Sequence, residues 1–124
     1  MVFLEKVTPP VQYWRGFLCF SSMLKRIVKL TFREDFTHTF LQEVFEPSKD
    51  AIRAFPGCYS MELLRDMRHS HVLFTLSIWE NAEALETYRR SELFQTTWAK
   101  TKMLFAEKAA AWSLEVLSDA VSAP

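Results

Sequence analysis

Tyr59, Tyr88 and Trp98 each join a flat apolar ring to one polar tip. Such side chains hold a planar organic ligand and hydrogen-bond one of its oxygens. Phe94 adds a wholly apolar ring one helical turn before Trp98. If these rings border a void they wall an apolar site with few polar groups; if they do not, they are core. Other chemistries find little support. Two glycines cannot build a P-loop or a G-x-G-x-x-G turn, and no G-x-S-x-G is present. His38, His69 and His71 contain no H-E-x-x-H. His69 and His71 alternate across a strand start, point to opposite faces and make poor partners for one metal ion. All three are expected as solvated turn histidines, with no metal and no cofactor. Cys19 and Cys58 form no C-x-x-C. Two cysteines are too few for a disulfide framework or a four-ligand zinc site, so both read as small buried hydrophobes in a reducing, cytoplasmic setting.

Charge narrows the partners. The 15 basic and 15 acidic side chains cancel, so the basic footprint that nucleic acid requires is missing. Lys25-Arg26 and Arg89-Arg90 read as solvated pairs. No run reaches the roughly 18 apolar residues of a membrane span. Phe17-Leu18-Cys19-Phe20 is apolar but short, and no small-residue cleavage site follows, so a signal peptide is not expected. The chain has 124 residues, one domain's worth. Aromatics reach 15 %, a surplus of large rings that calls for a second buried surface, either an apolar pocket or an interface between copies.

The elements that must position these rings follow from the hydrophobic period. Residues 1–22 have no clear period and read as an extension; the tail 118–124 reads as frayed. Met23 opens a clean strand pattern, with Val28, Leu30 and Phe32 on one side and Ile27, Lys29, Thr31 and Arg33 on the other. A helical period follows through Phe40, Leu41, Val44, Phe45, Ala51, Ile52 and Phe55. Pro47 inside that run predicts a kink or break, with Pro47 opening the second piece. Phe55-Pro56-Gly57 ends the helix, and Gly57 is expected at a special backbone angle. Strands are predicted from Cys58 to about Asp66 and from His71 to Trp79, joined by a turn at Arg68-His69-Ser70. Asn81 reads as an N-cap, and Ser91 as the cap of a second helical piece carrying Phe94, Trp98, Thr101 and Phe105. A last strand runs over about Ala110 to Leu117.

The resulting order is β-α-β-β-α-β, the ferredoxin-like arrangement of an α+β domain with a four-stranded antiparallel sheet over residues 23–117. Val72, Phe74, Leu76 and Ile78, with Trp112, Leu114 and Val116, form apolar strand faces expected beneath the helices. The other face mixes polar residues with Ile27, Leu73, Trp79 and Leu117; Lys29 and Glu62 on it are placed to pair with each other. An apolar patch of that size is seldom left exposed by a monomer, which predicts a homodimer through the mixed face.

Three stretches carry a family resemblance: Ile52-Arg53-Ala54-Phe55-Pro56-Gly57-Cys58, Phe74-Thr75-Leu76-Ser77-Ile78-Trp79-Glu80, and Ser91-Glu92-Leu93-Phe94-Gln95-Thr96-Thr97-Trp98. Over about residues 24–117 the chain resembles the antibiotic biosynthesis monooxygenase family. The resemblance implies a dimeric α+β barrel with a pocket between the helices and sheet of each subunit. Members include cofactor-independent monooxygenases of anthrones and quinols, and haem-degrading enzymes. The haem degraders use an axial histidine ten residues after an aromatic, late in the second helix, and a strand-1 asparagine. Here Tyr88 holds the aromatic place and Trp98 the histidine's, while Ile27 or Val28 stands for the asparagine. An indole cannot ligate iron, so haem degradation of that type is disfavoured.

Cofactor-free oxygenation suits an aromatic, uncharged pocket. An ionised phenol or enol is electron-rich enough to pass an electron to dioxygen directly, provided the protein excludes water and favours the ionised form. The expected substrate is a small hydrophobic aromatic. Tyr59, Tyr88, Phe94 and Trp98 are the expected binding residues, and Tyr88 is the best catalytic candidate. The competing reading is a non-catalytic dimeric module for a small hydrophobic ligand or partner. A void beside an ionisable group favours the first reading; a space filled by Trp98 and Phe94 favours the second.

Overall fold

The computed structural model describes residues 23–118. Cys19, the expected extension 1–22 and most of the expected tail lie outside the described residues. Four strands, β1 (Leu24–Thr31), β2 (Cys58–Arg65), β3 (Val72–Trp79) and β4 (Ala110–Glu115), form one sheet in the order β2-β3-β1-β4. All neighbours are antiparallel. Between β1 and β2 the chain runs through a 3₁₀ turn (Glu34–Phe36), an α turn (Thr37–Thr39), a π-helical stretch (Phe40–Phe45) and an α-helix (Glu46–Arg53), together α1. Helices α2 (Ala82–Arg90) and α3 (Glu92–Lys102) connect β3 to β4. This is the predicted α+β, ferredoxin-like order with its four-stranded antiparallel sheet. No helix among the described residues is long and apolar enough to cross a membrane.

Local chemistry sets the boundaries. Asn81 Oδ1 accepts from the Ala84 amide at 2.8 Å, and Ser91 Oγ accepts from the Phe94 amide at 3.1 Å, so both predicted caps hold free donors of a first turn. The Ser91 hydroxyl also donates to the Tyr88 carbonyl at 2.6 Å, tying the end of α2 to the start of α3. Asp66 Oδ1 accepts from the amides of Arg68 and His69 at 2.7 and 3.0 Å, closing the β2–β3 turn. Those amides hold the Asp66 carboxyl below its usual range. Pro47 opens the second piece of α1, as expected, without interrupting the helical path. It sits in the first turn of Glu46–Arg53, where a missing N–H is tolerated. The turn before it widens instead, with the Glu46 amide bonding back to the Leu41 carbonyl, five residues earlier. The Ser48 hydroxyl donates to the Val44 carbonyl at 2.6 Å.

Gly57 has φ of 89°, and a Cβ built there would lie 2.5 Å from the Ala84 Cβ. Both the backbone angle and the approach of α2 therefore require glycine. Gly57→Ala is expected to cost about 1–3 kcal/mol, read as a lower urea midpoint. An unchanged midpoint would contradict this packing of the β2 turn on α2.

The sheet faces differ from the expectation. In the register, Leu30 pairs with Leu73, Val28 with Thr75, Arg26 with Ser77 and Leu24 with Trp79. Leu73 and Trp79, expected on the mixed interface side, thus look toward the helices and are 1 % exposed. Leu73 joins Leu30, Phe32, Phe40 and Val44 in one core cluster, and Trp79 joins Leu24 and Leu85 in another. The apolar row Phe74, Leu76 and Ile78 lies on the far side with Ile27, Trp112 and Leu114. Alternation along a strand separates two faces but does not say which one the helices cover. Glu62 and Lys29 form no ion pair among the described residues; β3 runs between their strands.

Candidate functional site

A cavity of about 300 Å³ lies between the helices and the sheet. Its floor is the helix-facing row of the strands: Val28 and Leu30 of β1, Met61 of β2, Thr75, Ser77 and Trp79 of β3, and Ala111 of β4. The π-helical stretch of α1 turns Phe40, Val44 and Phe45 into one wall, and Tyr88, Phe94, Thr97 and Trp98 of α2 and α3 form the other. The widening before Pro47 is therefore part of the site's shape, a common place for π-helical turns.

The rings contact one another in series along these walls. Tyr88 stacks on Trp79 at 4.9 Å between centroids, and Phe94 meets Tyr88 edge-on at 5.2 Å. Trp98 stacks on Phe94 at 5.7 Å with an interplanar angle of 12°. The series continues through Phe105, Phe32, Phe40 and Phe45. Each contact fixes the next ring, so the walls are stiff and mutually oriented. Phe94 and Trp98 wall the space without filling it.

Few polar atoms face this space. The Trp79 Nε1–H donates to Ser77 Oγ at 2.9 Å, so the deepest indole is satisfied. Arg26 Nη1 donates to Ser113 Oγ at 2.8 Å. The Thr101 hydroxyl donates to the Thr97 carbonyl at 2.7 Å. The Tyr88 hydroxyl makes no hydrogen bond among the described residues. Burial pushes its phenol above its ordinary value, with a smaller push from nearby Cys58. Cys58 is itself raised by burial, so both groups are neutral near pH 7 and Tyr88 is a hydrogen-bond donor there.

Of the four ligand-binding residues expected from the sequence, Tyr88, Phe94 and Trp98 line the cavity together. Tyr59 does not. The bulge between Cys58 and Ser60 leaves it 57 % exposed, outside the wall. The histidines lie elsewhere: His38 is exposed on α1, and His69 and His71 sit at the β2–β3 turn with ring centroids 6.2 Å apart. Among the described residues no group of three potential ligands gathers for a metal ion. Sequence reasoning missed Arg26, Thr75 and Ser77. The legible signal for Arg26 was parity: it is the charged member of the alternate stripe Leu24, Arg26, Val28, Leu30.

Residues 23–100 match the family model described as antibiotic biosynthesis monooxygenase. No curated protein matches the chain. Solved structures do. A conserved protein from Methanosarcina mazei Go1 superposes with a TM-score of 0.75 at 11 % identity, covering 81 % of this chain and 98 % of its own. Rv0793 from Mycobacterium tuberculosis gives 0.72 at 22 % identity, covering 81 % and 100 %. An antibiotic biosynthesis monooxygenase gives 0.71 at 14 % identity, covering 77 % and 99 %. At these identities the structures speak to the fold alone.

Proposed function

The chain belongs to the antibiotic biosynthesis monooxygenase family, and from that premise we propose that its cavity binds a flat, electron-rich hydroxyaromatic and oxidises it with dioxygen. The observation that carries this reading is the cavity of about 300 Å³ walled by stacked rings, with the Tyr88 hydroxyl unengaged among the described residues. Phe94 and Trp98 hold the ring of the substrate, and Tyr88 donates to its oxygen. That donor is worth most when the oxygen carries charge, so it favours the phenolate or enolate over the neutral form. The ionised substrate passes one electron to dioxygen, and radical and superoxide combine into a hydroperoxide. Loss of water then leaves a carbonyl. For an anthrone the CH₂ becomes C=O, one atom of dioxygen enters the product and the other leaves as water. The substrate supplies all four electrons, so the balance needs no added flavin, haem or metal.

Tyr88→Phe keeps the ring stack and removes the donor. It is expected to slow turnover by about tenfold or more, from the roughly 1–3 kcal/mol such a bond is worth. The assay is oxygen uptake by metal-stripped protein over a panel of hydroquinones and anthrones, corrected for autoxidation. Because burial keeps Tyr88 protonated, turnover should rise with pH along the substrate's own ionisation, in wild type and variant alike. No enhancement by the wild-type protein across the panel would overturn the oxygenase reading and leave the ligand-binding module.

The same reading includes a homodimer. The far face of the sheet presents Ile27, Phe74, Leu76, Ile78, Trp112 and Leu114, with Trp112 44 % and Leu114 46 % exposed in the single chain. A twofold-related copy packed there would bury them.

A further inference from the structure

We propose that Met61 is an oxidation site of this cavity: its thioether takes an oxygen atom from an aromatic hydroperoxide held there, and the resulting sulfoxide weakens the site for apolar rings. The inference rests on the ligand-binding reading above. Within the oxygenase reading, that hydroperoxide is the intermediate formed on the substrate itself.

Met61 lies on β2, is 6 % exposed and lines the cavity. It is buried without belonging to either of the two core clusters; the space it borders is the cavity. Beyond the bulge between Cys58 and Ser60, the register pairs Met61 with Ser77. Directly opposed residues of an antiparallel pair hold their Cβ atoms about 5 Å apart. Ser77 Oγ accepts from the Trp79 indole, on which Tyr88 stacks. The thioether therefore stands on the same floor as the indole that supports the Tyr88 ring. Arg53 Nε donates to the Met61 carbonyl at 3.1 Å, which ties this point of β2 to α1.

A thioether is soft and polarisable. Its sulfur lone pair attacks the terminal oxygen of R–O–O–H. The S–O bond forms as the O–O bond breaks, and the proton passes to the leaving oxygen. Sulfur loses two electrons and the peroxide gains them, leaving methionine sulfoxide and the alcohol R–OH. The step needs no deprotonation at sulfur. The Cys58 thiol on the same strand is held neutral by burial and lacks the thiolate that would compete. Sulfoxidation sets a polar S=O on an apolar floor, which disfavours a flat hydrocarbon ring. Met67 and Met103 are 101 % and 73 % exposed. An oxidant in free solution reaches them first, whereas an oxidant held in the cavity reaches Met61.

The full chain is treated under argon with cumene hydroperoxide or with hydrogen peroxide, and the mass gain of one oxygen at each methionine is followed by peptide mapping. Hydrogen peroxide should oxidise Met67 and Met103 ahead of Met61. Cumene hydroperoxide should shift the ratio of Met61 to Met67 oxidation by about tenfold or more in favour of Met61, because a reactant held beside its target acts at a raised effective concentration. 2-Naphthol should slow the oxidation of Met61 and leave that of Met67 unchanged. Once Met61 is oxidised, the affinity for 2-naphthol, read by calorimetry, should fall about fivefold or more. Met61→Leu protein given the same treatment should keep its own starting affinity. If Met61→Leu does not fold, the wild-type peptide map and the wild-type affinity before and after treatment still decide. The same oxidation order with both peroxides, no protection by 2-naphthol, or an unchanged affinity once Met61 is oxidised would overturn the proposal. Oxygen uptake with an anthrone that leaves Met61 unmodified would also overturn it, and would keep the oxygenase reading. Oxidation of Met61 by cumene hydroperoxide without oxygen uptake across the panel would retain the proposal and remove only the oxygenase reading.

Discussion

Replacing Trp79 with alanine is expected to cost the fold about 3–5 kcal/mol, the usual range for removing a buried large aromatic. Trp79 is 1 % exposed. Its ring stacks on Tyr88 and meets Phe55 edge-on at 6.4 Å, and its indole N–H is the donor to Ser77. The substitution leaves a hole beneath α2, strips Tyr88 of its stacking partner and enlarges the site. Urea unfolding at fixed protein concentration reads the loss of packing, and weaker binding of a hydroxyaromatic from the assay panel reads the change in the site. Trp79→Phe separates the contributions: it keeps an aromatic ring but leaves the Ser77 hydroxyl without its donor, a loss of about 1 kcal/mol. A Trp79→Ala protein within 1 kcal/mol of wild type would show that the indole does not hold α2 on the sheet.

Leu76→Glu is expected to turn the proposed dimer into a monomer. Leu76 pairs with Ile27 across β1 and with Glu62 across β2, at the middle of the far face. In a twofold pairing through that face, two carboxylates would be buried near the axis without partners. An uncompensated buried charge costs about 3–5 kcal/mol, which is two to four decades in dissociation constant. Light scattering at micromolar concentration should give twice the chain mass for wild type and the single chain mass for Leu76→Glu. Met67→Glu, at a fully exposed turn position, should leave the wild-type mass unchanged. A wild-type monomer at that concentration, or a dimer unaffected by Leu76→Glu, would move the interface elsewhere.

Sequence alone was enough to order the elements. Alternation in β1 and β3, the three-and-four spacing of Phe40, Val44 and Ile52, and the polar caps Asn81 and Ser91 are local signals, and local signals govern local structure. Gly57 was legible for the same reason: a turn that closes a helix onto a strand needs a backbone angle other residues avoid. The placement of three of the four candidate rings on one wall was legible because Phe94 and Trp98 lie one turn apart on α3 and Tyr88 stands near the end of α2, just before the Ser91 cap that joins the two helices. Tyr59 was not, because a one-residue bulge between Cys58 and Ser60 changes which side a strand residue takes, and nothing in the strand's composition marks it.

Only the tertiary structure decided which side of β3 the helices cover. Both of its faces are apolar enough to be buried, and the choice lies in its register with β1, a contact between residues nearly fifty positions apart in the chain. That register sends Leu73 and Trp79 into the core, leaves Phe74, Leu76 and Ile78 on the far face of the sheet, and sets Ser77 beside Arg26 beneath the cavity. The void has the same origin. Ring-rich walls are written in the sequence, but whether they close on one another or stand apart depends on the widened turn before Pro47 and on how far α2 and α3 sit from the sheet. Those distances are set by packing between remote segments, which no local pattern encodes.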